Sequence, residues 1–325
     1  MKVRQIVLRE HGGPDVMRIQ EVELAPPGSG EVQIEQVAIG LNYIDVYHRS
    51  GFYPHRIPGG LGLEGVGCVT AVGDGTTTPE VGDRVAYSGL MGAYASHRNA
   101  PADRLVPIPD AVGDEEAAAL IFKGMTVDYL LNRIYPVREG TTVLFHAASG
   151  GVGQIAGQWG KHLGAKMIGV TSGDENCAEA LKNGYAHAID RTSGDDIAEQ
   201  VRALTGGEGV HVVYDSVGKD SFDASLDSLR RRGMFCSFGA TTGDAPDVPP
   251  SLLQYKGSLF FTRPMLADYI GDAGDYQASG ARVFDLAAAG ALKVNVNQRF
   301  PLAEAGAAHD AITSGETTGS TVLLP

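Results

Sequence analysis

Ala148, Gly150 and Gly153 stand in an A-x-G-x-x-G spacing inside residues 141–163. Small residues at that spacing let backbone N–H groups come close to a bound anion, at the positive end of the helix that follows. The chemistry this suits is capture of a dinucleotide pyrophosphate, with alanine in place of the first glycine of the usual fingerprint. A tight turn under ordinary strand–helix packing uses similar residues, so the flanks decide. Val143, Leu144 and Phe145 read as a buried strand, and Ile155, Ala156 and Trp159 give the next segment a helical apolar face. Strand, turn and helix are all present, which favours the cofactor reading.

The elements around this turn alternate. Strands are expected at 142–146, 166–171, 187–190, 210–215, 233–238 and 258–262, with helices at 175–182, 195–204 and 221–229. Such alternation predicts an α/β, doubly wound, parallel six-stranded sheet of the Rossmann type. The connection 243–251, with Pro246, Pro249 and Pro250, reads as a loop rather than a helix. Arg230, Arg231 and Arg232 read as cations closing a helix C-terminus. The first hundred or so residues have short strands and closely spaced turns such as Gly73-Asp74-Gly75, as a β-rich domain does. The tail reads as a helix near 281–289, a strand near 293–300, a helix near 303–314 and a strand at 320–324. About sixty residues bury little core alone, so the tail is expected to fold onto the first domain. The expected division is 1–125 and 265–325 for one β-rich domain, with 126–264 inserted as the dinucleotide domain.

A chain of 325 residues is long enough for two domains. Its formal net charge of -13 argues against nucleic acid as a partner. No apolar stretch is long enough for membrane insertion, and the N-terminus lacks a targeting pattern, so the cytoplasm is the expected location. Cys68, Cys177 and Cys236 are too scattered for a disulfide framework or a cysteine zinc site; Cys68 and Cys236 read as buried.

Several blocks then stand in a fixed order: Asn42-Tyr43-Ile44-Asp45-Val46-Tyr47 with Arg49-Ser50-Gly51, Gly62-Leu63-Glu64-Gly65, Val81-Gly82-Asp83-Arg84-Val85, and Lys123-Gly124-Met125-Thr126. His146 through Gly153, Asp215-Ser216-Val217-Gly218, Arg231-Arg232-Gly233 and Thr262-Arg263-Pro264 follow. With these the chain resembles, end to end, the zinc-independent quinone oxidoreductases, the zeta-crystallin-like branch of the medium-chain dehydrogenase/reductase superfamily. The resemblance implies a GroES-like catalytic domain, a Rossmann domain, a cleft between them and a homodimer joined through the last Rossmann strand. Zinc enzymes of the superfamily place cysteine near Asn42 and Gly-His-Glu near 62–64; Asn42 and Leu63 offer neither thiolate nor imidazole. No metal is expected. What remains is hydride transfer from a reduced nicotinamide to an acceptor that is already electrophilic, a small hydrophobic quinone or enone, whose developing oxyanion needs only hydrogen bonds.

On the resemblance, Asn42 makes a polar contact near nicotinamide and substrate, against the alternative of an Asx-type turn. Asp45 anchors the ribose or orients Asn42, or is a helix-start carboxylate. Tyr47 and Tyr53 offer a phenol O–H to the acceptor or stack on its ring, against simple packing. Thr126 bonds the cofactor; Lys123 contacts it or pairs with an acid. His146 reads as a core histidine, and no Ser-His-Asp arrangement argues for hydrolysis. The phosphate turn is Ser149, Gly150, Gly151 and Val152. Ser216, Val217, Phe238, Gly239, Ala240, Thr241, Phe261, Thr262 and Arg263 are carried over as further cofactor contacts.

The second strand ends in Thr171-Ser172-Gly173 without an immediate acid, which leaves room for a 2′-phosphate; Asp174 and Glu175 are expected to begin the next helix. Arg191 is placed by topology to meet that phosphate. Similar bacterial enzymes carry lysine at the position of Asn176, arginine near Gly315 and tyrosine at Arg191, so the grip is relocated to Arg191 or weakened. The expectation is an NADPH-dependent quinone reductase. Its rivals are a 2-enal or enone reductase and a nucleotide-binding protein with a structural, regulatory or RNA-binding role.

Overall fold

The protein is described from a computed structural model, which covers residues 1–315 and 317–325. The chain divides into two compact units, 1–125 with 270–325 and 126–269. The second division falls a few residues beyond the expected 264, because the short helix Leu266–Tyr269 belongs with the second unit: Tyr269 stacks on Tyr129 at 4.9 Å between ring centroids.

The first unit is β-rich. Its larger sheet runs Val296–Pro301, Ser320–Leu324, Glu31–Leu41, Glu64–Val72, Arg84–Ser88, Val106–Pro107, with His97–Pro101 also paired to Glu31–Leu41. The tail enters this sheet directly, Thr321 opposite Leu41. A smaller sheet holds Lys2–Leu8 between Arg18–Glu23 and Gly59–Gly60. Ile6, Leu8, Ile34, Ile39, Leu41, Tyr87 and Tyr94 fill the core. The tail helix is longer than expected, Ala273–Ala288, because Asp272 caps it through Gly274 N–H at 2.8 Å.

In the second unit six parallel strands stand in the order His187–Asp190, Lys166–Thr171, Thr142–His146, Val210–Asp215, Leu229–Ser237, Phe260–Thr262. The order reverses direction beside Thr142–His146, and ligands of such sheets bind at that switch point, at the carboxyl ends. Leu144, Ile168, Val213 and Phe235 pack its core.

Three expectations are corrected here. The 243–251 connection is not all loop: Pro250 opens the helix Pro250–Tyr255, since proline is tolerated in a first helical turn where its missing N–H would have no partner. The helix before the three arginines ends at Ser228, and Arg230, Arg231 and Arg232 belong to the strand Leu229–Ser237. Cys236 is buried, but Cys68 is only half-buried. Among the described residues no helix is long and apolar enough to cross a membrane.

Leu144 has no exposed surface and sits at the centre of the sheet. Leu144→Ala is expected to cost about 2–5 kcal/mol, measured as a lower urea midpoint; a loss below about 0.5 kcal/mol, typical of a surface site, would show the core is elsewhere.

Candidate functional site

The turn after Thr142–His146 starts with Ala147 in the left-handed region, φ 55°. That reversal lifts Ala148 onto the sheet and aims residues 149–151 at the start of the helix Gly151–His162, whose N-cap is Gly150. A Cβ on Gly153 would sit 2.7 Å from Ala148 Cα, so only glycine lets the helix approach the turn this closely. The free N–H groups of the first helical turn and the helix dipole make the place fit for an anion. Ser149 Oγ lies 2.7 Å from Thr171 Oγ1, tying the turn to the next strand.

That next strand, Lys166–Thr171, ends beside the strand His187–Asp190. Thr171 stands opposite Asp190, and Arg191 N–H donates to Thr171 O at 2.9 Å. Asp190 Oδ1 accepts from Gly173 N–H at 2.8 Å and from the Thr192 hydroxyl and N–H. Those bonds, the Gly173 one foremost, hold its carboxyl below the usual range. Ser172, Gly173 and Arg191 are therefore gathered at one end of the sheet, and the Arg191 side chain is exposed. Asp174 and Glu175 do open the following helix, Asp174–Lys182. Asn176 Nδ2 is spent on Ser172 O at 2.9 Å.

The loops beyond Asp215 and Ser237 are laced together. Asp215, fully buried, accepts from Val217 and Gly218 N–H and from the hydroxyls of Ser221 and Ser225 at 2.6 and 2.7 Å. Thr241 N–H donates to Ser216 O, and Gly239 lies so close to Ser216 that a Cβ would sit 2.7 Å from its Cα. Arg263 donates through Nη1 to Ser237 O and Gly239 O at 3.0 and 2.7 Å, which holds the 238–241 loop. Phe238 packs on Phe145, and Phe261 on Phe235, leaving Val217, Ala240 and Thr262 on the same carboxyl-end rim of the sheet.

Ser225, His146 and Asp215 do come together, but in the wrong order for catalysis, with His146 a bonded core histidine. The serine is the middle member: it donates to Asp215, so His146 Nε2 donates to it at 3.0 Å. All three are buried, and burial lowers the His146 pKa, keeping the ring neutral. The cluster is a packed core network.

In the first unit, Asn42 caps the helix Tyr43–Ser50. Its Nδ2 donates to Glu64 Oε1 at 2.6 Å, and its N–H donates to Asp45 Oδ2 at 3.0 Å. Glu64 is fully buried; its Oε2 accepts Phe122 N–H at 2.8 Å, and Lys123 Nζ lies 3.4 Å from Oε1. Of the two roles expected for Lys123, pairing with an acid is present. Thr126, buried, opens the second unit. Tyr47 packs edge-on against Tyr43 and Tyr53, at 5.1 and 4.9 Å between centroids, and tilts onto Phe52.

Asp45 sits both at the helix start and under Asn42. Its Oδ2 also accepts from Tyr94 Oη at 3.1 Å, and Tyr94 Oη lies 3.0 Å from His309 Nε2. Asp45 Oδ1 and His309 Nδ1 are buried without partners. Burial pushes the Asp45 carboxyl up to about 7, against the opposing bonds from Asn42 and Tyr94, and pushes His309 down to about 3, with Arg49 adding to the effect. Glu64, Tyr94 and His309 were given no role from the sequence. An acid inside the apolar run 61–72 was the one available signal for Glu64; a lone histidine on an alanine-rich helix face carried none.

Residues 151–270 match the family described as zinc-binding dehydrogenase, and 28–110 match the alcohol dehydrogenase GroES-like domain. Zinc does not fit the residues present: among those described, no group of three or more His, Cys, Asp or Glu is placed to hold a metal. The chain is 45% identical to the quinone oxidoreductase of Salmonella typhimurium, over 99% of both chains. It is 42% identical to a 2-haloacrylate reductase of Burkholderia sp, again over 99% of both. The structure of Escherichia coli quinone oxidoreductase complexed with NADPH matches with a TM-score of 0.96 at 43% identity, over 99% of this chain and all of that one.

The raised Asp45 pKa sets a pH dependence. Folded protein holds this proton between pH 3.8 and about 7 while unfolded chain releases it, so stability is lost as pH rises through that window. Asp45→Asn is therefore expected to gain in Tm relative to the parent between pH 5 and pH 8; a constant difference would mean that Asp45 is ionised throughout. Matched over 99% of its length by a full-length relative, and by the two domain families over 28–110 and 151–270, the chain belongs to the quinone oxidoreductase family of medium-chain dehydrogenases/reductases, as an oxidoreductase enzyme.

Proposed function

We propose that the protein reduces small hydrophobic quinones with NADPH, without a metal, as a homodimer in the cytoplasm. The observation that carries the reading is the strand–turn–helix at 142–162, where Ala147 reverses the chain and Gly153 admits the helix, with Arg191 gathered at the neighbouring strand end. The residues present fit the cofactor. Ser149, Gly150, Gly151 and Val152 offer N–H groups and a helix N-terminus to the pyrophosphate. Ser172, Gly173 and the exposed Arg191 guanidinium suit the ribose and its 2′-phosphate. In the second unit Thr126, Ser216, Val217, Phe238, Gly239, Ala240, Thr241, Phe261, Thr262 and Arg263 complete the residues suited to the cofactor; in the first unit Asn42, Tyr47 and Lys123 are the side chains suited to a nicotinamide.

Bound NADPH supplies a hydride equivalent. The chain's task is to hold the acceptor, exclude water and stabilise the oxygen that becomes negative. Asn42 is suited to that task because one Nδ2 hydrogen is fixed on Glu64, which sets the plane of the amide and the direction of the other. Asp45 positions Asn42 through its N–H. The phenols of Tyr47 and Tyr53 form the aromatic wall against which a flat ring can stack, and either supplies the proton that the reduced acceptor takes up.

Enones of small acids are a second acceptor class, favoured by the full-length similarity to a 2-haloacrylate reductase. Dimer formation is supported by the last strand, Phe260–Thr262, at the end of the sheet order, with Phe260 58% and Tyr255 85% exposed beside it. Large exposed aromatics at a sheet edge suit pairing with a second copy.

Steady-state oxidation of NADPH and NADH with a panel of quinones and enones tests the reading. Turnover with quinones is expected; binding of NADPH without turnover of any acceptor would favour a structural or regulatory role. Arg191→Ala is expected to raise KM for NADPH about tenfold or more, with little change for NADH; equal changes would remove Arg191 from the phosphate site. Phe260→Arg is expected to run as a monomer by light scattering, and an undisturbed dimer would place the interface elsewhere.

A further inference from the structure

Three consecutive arginines are presented at the other end of the Rossmann sheet by an irregularity in its fifth strand. Val210 pairs with Leu229 and Val212 with Met234, so Arg230, Arg231, Arg232 and Gly233 stand opposite the single residue His211. Within this bulge Arg232 takes a left-handed backbone, φ 58°, which a side chain disfavours, and is held there by its N–H on Gly257 O at 2.8 Å. Bulges and strained non-glycine residues persist where the surroundings impose them, and they often aim side chains.

What they aim at is a groove of about 420 Å³ lined by Arg202, Arg230, Arg231, Arg232, Lys256 and Glu208. Arg202 is fixed on the carbonyls of Gly207 and Asp227 at 3.2 and 2.7 Å, with no carboxylate bonded to it among the described residues. Lys256 pairs with Asp227. No carboxylate bonds Arg230, Arg231 or Arg232 among the described residues, and Arg230 Nε is buried without any acceptor. In a chain of net charge -13, a concave site with this excess of guanidinium groups is a local reversal of sign. Its strands begin here and carry the pyrophosphate turn and the 216 and 238 loops at their opposite ends, so the groove is separate from the cofactor site.

We propose that this groove binds a small polyphosphate anion. Arginine's planar fork matches phosphate oxygens in pairs, and several guanidinium groups around one concavity suit several linked phosphates better than a single carboxylate. A free polyphosphate and the diphosphate of a nucleotide share this chemistry.

Isothermal titration with inorganic triphosphate and with ADP, each with and without saturating NADPH, tests it. Triphosphate is expected to bind one per chain whether or not NADPH is present, more weakly as salt rises. The Arg231→Ala/Arg232→Ala double variant is expected to lose about tenfold or more in affinity, and Arg191→Ala none. Arg232→Gly removes both charge and strain, so it should raise Tm while weakening triphosphate binding, which separates the site from the fold. ADP binding more tightly than triphosphate, and weakened by the same variants, would assign a nucleotide; equal or weaker ADP binding would assign free polyphosphate. Absence of triphosphate binding, affinity unchanged in the double variant, loss of triphosphate binding when NADPH is added, or binding of a polynucleotide but not of triphosphate would each overturn the proposal.

Discussion

The carboxylate of Glu64 is removed from water and is answered by three donors from two separate stretches of chain: Asn42 Nδ2 on one, Phe122 N–H and Lys123 Nζ on the other. A charge so placed is tolerated only while its partners stay, and removing one partner of a buried pair typically costs about 3–5 kcal/mol. The strand Glu64–Val72, the turn into the helix at Tyr43 and the helix Asp114–Asp128 are thereby held in one arrangement. Gly40 accommodates the knot, since a Cβ there would run into the Glu64 carboxylate and the Ala118 carbonyl. Asn42 is held in place because its amide gives this buried acid its shortest hydrogen bond, 2.6 Å.

The second unit uses a related device with a different result. Asp215 ends its strand buried and collects two backbone N–H groups and two serine hydroxyls. These bonds bend the chain into the 216–218 turn, and Gly239 and Arg263 then draw the neighbouring loop against it. The rim of the sheet at its carboxyl ends is thus built from fixed loops. That suits a large ligand whose binding depends on several loops meeting it at once.

Asp45 sits at a balance point between structure and chemistry. It orients Asn42 and shares a hydrogen-bonded chain with Tyr94 and His309, with an unpartnered oxygen at one end and an unpartnered nitrogen at the other. Burial disfavours charge on both the acid and the histidine, so the chain is most stable when a proton resides on Asp45 and none is added to His309.

Local sequence was enough for the parallel strands of the second unit, because apolar runs of four to six residues separated by helical periodicity leave few other folds. It was enough also for the tight turn between the strand Thr142–His146 and the helix Gly151–His162, where the glycine spacing answers to a steric limit within a few residues, and for Asn42 and Asp45 as neighbours on one helix start. It was not enough for Glu64, Tyr94 and His309, whose partners lie tens to hundreds of positions away. Nor did it disclose that Arg230, Arg231 and Arg232 bulge from a strand, since a bulge is a mismatch between two strands and is written in neither alone. Short-range sterics and periodicity are properties of adjacent residues and so are legible in order; the satisfaction of a buried charge belongs to whichever residues the fold brings beside it.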